Sequence, residues 1–171
     1  MVGFIPYIRL VIAWLLHVCC FQYLVLGNGW YFPAFHLYGL LLLPIALSPL
    51  AVLLISAIVG FTLDLTTMGG GLYTSSALMM GLSIPAVNRL FSPREGYEVN
   101  DIGTLNSMGF QWFTSRTILL LFIHHVWMFS LEAGRWGLMA EGWGKALTSA
   151  LFGWGLFLAA QWLTQSNKRS R

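Results

Sequence analysis

Asp64 is the first acid met from the N-terminus and the only one before Glu95. It stands in the run from Gly60 to Tyr73, Gly-Phe-Thr-Leu-Asp-Leu-Thr-Thr-Met-Gly-Gly-Gly-Leu-Tyr. A lone carboxylate among apolar residues costs several kcal/mol if it faces lipid, which places it at a membrane boundary or against protein. Two chemistries follow. Asp64 could couple an ion or solute, as intramembrane acids often do, or it could cap the glycine-rich turn and hydrogen-bond a neighbouring helix. No second acid lies nearby in sequence, which favours the structural role. The glycines permit backbone shapes or close helix contacts that larger residues block.

The other reactive side chains are sparse. The histidines are His17, His36, His124 and His125. A metal site needs three or four ligands, and adjacent histidines on a helix point about 100° apart. His124 and His125, with Glu132, could meet His17 or His36 near the outer leaflet, but nothing in the sequence requires it. Metal binding is not expected, and helix–helix hydrogen bonding is the default. Cys19 and Cys20 are adjacent, which disfavours an unstrained disulfide, and they read as buried small hydrophobes. No nucleophile–base set stands out. Gly69-Gly70-Gly71 lacks the lysine and strand of a phosphate loop. Neither catalytic residues nor a cofactor is expected.

The elements that position these residues are set by composition. Of 171 residues, 57% are hydrophobic and 9% charged, with mean hydropathy +0.72. Soluble domains carry roughly 25% charged residues, so the chain reads as one integral membrane domain over 1–171. The N-terminus lacks the early basic cluster and small-x-small site of a signal peptide. About 20 apolar residues cross a bilayer. Six spans are expected near 7–26, 33–47, 48–63, 72–91, 111–131 and 146–163, giving an all-α polytopic bundle. Pro44 ends the second span, Ser48-Pro49 starts the third and Pro85 kinks the fourth. The one long polar stretch, 92–110, carries Arg94, Glu95, Glu98 and Asp101. Its Ser92-Pro93-Arg94-Glu95 pattern predicts a short interfacial helix, and its length suits docking of a partner.

Net charge is +3. Six crossings with cytoplasmic termini place Arg9, Arg89, Arg94, Lys168, Arg169 and Arg171 inside, with Arg116 snorkelling to that face. Arg135 and Lys145 fall outside. The cations thus set orientation, and no nucleic-acid role follows from them. Trp112, Trp136, Trp143 and Trp162 lie near helix ends, as interfacial anchors do.

Size, six spans, Pro44, the Gly60-x-x-x-Asp64-Leu65 block and Gly71-Leu72 together resemble the rod shape-determining MreD family. Ser92-Pro-Arg-Glu-Gly-Tyr-Glu98 and Ile123-His-His-Val-Trp127 look like one branch of it. The resemblance implies a non-enzymatic, multi-pass protein of the bacterial inner membrane. It would scaffold an MreC-like protein and link it to the MreB filament, the glycosyltransferase RodA and a penicillin-binding transpeptidase. It also implies a fold similar to the substrate-binding component of energy-coupling-factor transporters. Gly60, Asp64 and Gly71 carry over as structural candidates. Pro44, Arg94 and Glu95 join them as structural or partner-contact candidates, and a homo-oligomer is compatible with this role. The alternative is a solute-binding module of the vitamin-transporter type, since short, proline-interrupted helices can line a midplane site.

Overall fold

The computed structural model describes residues 3–24, 26–99 and 101–166; the basic tail from Lys168 to Arg171 lies outside them. Among the described residues there are seven α-helices and no strand. They are α1 (Ile5–Cys19), α2 (His36–Leu41), α3 (Pro49–Thr67), α4 (Leu72–Leu90), α5 (Leu105–Met108), α6 (Phe110–Ala133) and α7 (Met139–Ser166). Three stretches are long and apolar enough to cross a bilayer: Ile5–Tyr23, Pro49–Thr67 and Trp136–Thr164. The chain is a helical membrane protein.

Local chemistry explains the best-defined start. Ser48 accepts a hydrogen bond from the Ala51 N–H at 3.3 Å, and Pro49 occupies the first turn of α3. That is the cap expected from the sequence. α3 runs one turn past Asp64 to Thr67, and the left-handed φ of 54° at Met68 leads into the glycines. α3 packs along α4, α6 along α7, and α4 against α6. Small residues permit the closest approaches. A Cβ on Gly60 would lie 2.6 Å from the Thr74 Cα, and one on Gly81 would lie 2.6 Å from the Ser56 hydroxyl. In a bilayer the lipid is as apolar as leucine, so such close packing supplies the attraction between helices.

The first and second expected spans end early, and the sixth, expected over 146–163, is the longer helix Met139–Ser166. The first helix ends at Cys19 rather than near residue 26; a 3₁₀ turn at Phe21–Tyr23 follows, with Phe21 stacked on Phe35 at 4.9 Å. The second, expected over 33–47, is helical only over His36–Leu41, and all six of those residues are buried. Continuing α2 would need the Ile45 N–H to reach the Leu41 carbonyl. Instead Ile45 donates to Asp101 O at 3.0 Å, and Leu41 O accepts from Arg116 Nη1 at 3.0 Å. Pro44 pairs in an isolated bridge with Ile102. The polar segment thus seals the end of α2.

Apolar side chains make up the core. Leu37, Leu40, Leu41, Leu42, Leu63, Met80, Phe113 and Phe157 are all fully or almost fully buried. Cys19 and Cys20 are exposed, contrary to the buried positions expected for them. They lie at the end of α1, in which only Pro6, Ala13 and His17 are buried.

Candidate functional site

Asp64 is 9% exposed and faces the start of α4. Its carboxylate accepts from the Tyr73 N–H at 3.1 Å, the Thr74 N–H at 2.8 Å and the Thr74 hydroxyl. These are orphan donors at a helix N-terminus, where the macrodipole also favours negative charge. Gly60, one turn earlier on α3, allows the Thr74 backbone to come that close. Gly71 holds φ 94° as the residue before α4, a conformation that side chains resist. Gly60, Asp64 and Gly71 therefore form one clamp that fastens α3 to α4.

Below this clamp the four histidines meet, although they come from three elements. Ring centroids of His17 and His36 are 4.4 Å apart, those of His36 and His124 6.0 Å, and those of His124 and His125 5.2 Å. All four rings are fully buried. His124 Nδ1 donates to Ser76 O at 3.1 Å and His125 Nδ1 to Leu121 O at 2.7 Å. Both adjacent histidines turn inward because α6 is covered by α4 on one side and α7 on another. Neither ring nitrogen of His17 or His36 makes a well-formed hydrogen bond, nor does Nε2 of His124 or His125. The Pro33 carbonyl approaches His17, and the Phe32 carbonyl approaches His125, without good geometry. Glu132 is exposed and does not join the cluster. Among the described residues no three His, Cys, Asp or Glu side chains converge closely enough to hold a metal ion.

At the opposite end of the bundle lies Arg116, only 1% exposed. Sequence reasoning has it snorkelling out; it turns inward instead. Its Nε donates to Asn88 Oδ1 at 2.6 Å and Nη1 to Leu41 O, while its Cζ lies 5.0 Å from the centre of the Trp112 ring. Gly103 lets the chain pass over the guanidinium, since a Cβ there would lie 2.9 Å from Nη1. Among the described residues no carboxylate pairs with Arg116; the ion pair present is Lys145–Glu141 at 2.8 Å, on α7. Trp112 Nε1 donates to Phe91 O at 2.8 Å and to the Tyr97 hydroxyl, which donates to Asn88 O at 2.7 Å. Burial pushes the Tyr97 phenol up from its ordinary value.

Arg94 and Glu95 are exposed in a turn and touch none of these groups. The interfacial helix expected at Ser92 does not form. Gly96 closes a turn through its bond to Pro93 O, and Tyr97 is drawn back to Asn88. The helix begins later, at α5, where Thr104 accepts from the Ser107 N–H at 3.3 Å. Pro44 lines a cavity of about 320 Å³ together with Arg116. The inward arginine is the feature that sequence reasoning missed; the meeting of the histidines is one that the sequence allows but does not lead one to expect. The available signal for both was polarity inside otherwise apolar helices. Comparison with protein-family models, curated proteins and solved structures finds no match to this chain.

Proposed function

We propose that the chain is a non-enzymatic scaffold of the bacterial wall-elongation machinery, similar in role to MreD. The supporting observation is the packed core. Leucine, methionine and phenylalanine pack it around Asp64 and the histidines, leaving the cavity at the Arg116 end, and Asp64 spends its carboxylate on the start of α4. Function then falls to the outer surfaces. Ile8, Val11 and Leu15 on α1, and Leu50, Leu54, Ile58, Phe61 and Leu65 on α3, face outward, suited to lipid or to a partner's membrane helix.

In this reading the chain passes through the inner membrane six times, the second pass being residues 33–47, of which only α2 is helical. Both termini and residues 92–104 are cytoplasmic, in line with Arg9, Arg89 and Arg94 at that end against Arg135 and Lys145 at the other. The outer faces bind an MreC-like single-span protein, and the cytoplasmic segment with Arg94 and Glu95 approaches the MreB filament. RodA and a penicillin-binding transpeptidase complete the assembly. Depletion in a rod-shaped host is expected to give round cells, and the detergent-solubilised protein is expected to retain the MreC-like partner. Normal shape and wall synthesis after depletion would refute the proposal. Strong thermal stabilisation by a vitamin would instead favour a solute-binding module.

A further inference from the structure

The cavity at the Arg116 end has two kinds of wall. One is apolar, with Leu47, Pro49, Val52, Ile84 and Pro85 among its residues; the other holds Asn88, Ser92, Tyr97, exposed Arg89 and buried Arg116. No acid lines it. A guanidinium withdrawn from water without a counter-charge is expensive, and two neutral acceptors only partly offset that cost. Arg116 has five N–H groups, and among the described residues its acceptors are Asn88 Oδ1 and Leu41 O. Its other three N–H groups have no acceptor among the described residues, and Arg116 lines the cavity. A second cation, Arg89, stands at its exposed side. Two guanidiniums at one end and an aliphatic wall at the other match an amphiphile with an anionic head.

We propose that this cavity binds the phosphoryl headgroup of a membrane lipid, with Arg116 at its floor, Arg89 at its rim and the lipid's acyl portion along Leu47, Val52 and Ile84. Guanidinium is the side chain best matched to phosphate oxygens, and basic pockets between membrane helices recognise lipid headgroups in this way. A volume of about 320 Å³ takes a phosphoryl group and the first few carbons, leaving the chains in the bilayer. A free phosphate would leave the aliphatic wall unused, so the lipid is the fitting source. The bound anion would also hold Arg116 in place against α2.

The test measures thermal unfolding of the full-length protein in neutral detergent, with dioleoyl phosphatidic acid, dioleoyl phosphatidylcholine or inorganic phosphate added. Each variant is compared with its own lipid-free midpoint. Phosphatidic acid is expected to raise the midpoint, and phosphatidylcholine and inorganic phosphate to do much less. Because Arg116 also terminates α2, its replacement risks the fold, so Arg89→Gln and Leu47→Trp carry the test. Either is expected to raise the half-saturating amount of phosphatidic acid about tenfold, the effect of losing one charge-assisted contact or the space beside it. Arg135→Gln, an exposed cation at the other end, is the control and should keep the full response. Three results would each overturn the proposal: no shift with phosphatidic acid, an equal shift with inorganic phosphate, or undiminished shifts in both Arg89→Gln and Leu47→Trp.

Discussion

Asp64 shows how one charge in an apolar chain acquires a structural purpose. Three donors converge on its carboxylate, and all belong to the first turn of α4. Asp64→Ala would strand those donors and is expected to lower stability by about 2–3 kcal/mol, the cost of losing hydrogen bonds to a charged group. Asp64→Asn keeps one acceptor and should lose roughly half of that. Thermal unfolding in micelles, with hydrogen exchange at the Tyr73 and Thr74 amides, would check both. A coupling role would show instead as lost transport at unchanged stability. The histidines invite a prediction of opposite sign. His36 is fully buried with both ring nitrogens unsatisfied. His36→Leu removes two desolvated polar atoms and is expected to leave stability unchanged or raise it by about 1 kcal/mol. His124→Leu gives up the bond to Ser76 O and is expected to lower it by a similar amount. A large loss in His36→Leu would mean that its nitrogens have partners in the membrane.

At the scale of elements, legibility followed distance along the chain. Ser48-Pro49 announces α3 because the cap is made three residues away, at Ala51. The turn after Asp64 is equally local, since its glycines supply the backbone shapes it needs. α2 could not be read, because its end is decided by Arg116, 75 residues later, and by Asp101. The Ser92-Pro93-Arg94-Glu95 pattern looked like a cap but lost to Gly96 and to the pull of Tyr97 on Asn88. The histidine cluster could be raised but not required from the sequence for the same reason as α2, since its members lie on α1, α2 and α6. Gly39 offers the element-scale test. A Cβ there would lie 2.6 Å from the Leu10 Cα, so Gly39→Ala must push α1 off α2. The expected loss is about 1–3 kcal/mol, as for overpacking elsewhere, and unfolding midpoints would report it. An alanine at Gly155, where a Cβ meets nothing within 4 Å, should cost nothing comparable.

For the whole molecule, the two ends of the bundle carry different chemistry. One end holds the Asp64 clamp, the α3–α4 turn and the segment joining α6 to α7. The other holds Arg116, the cavity and the polar segment pinned by Ile102, Tyr97 and Trp112. The proposed orientation assigns the second end to the cytoplasm, and single-cysteine labelling in intact cells can test it. Cys19 and Cys20 are exposed and must first be replaced by alanine. A cysteine at Met68, 94% exposed in the α3–α4 turn, is then expected to react with a membrane-impermeant maleimide added outside cells whose outer barrier has been opened. A cysteine at Val99, 71% exposed in the polar segment, should react only after lysis. The reverse pattern would invert the protein and move the Arg116 cavity to the outer leaflet. Equal reactivity at both sites before lysis would mean that the bundle's two ends face one compartment, and six passes could not stand.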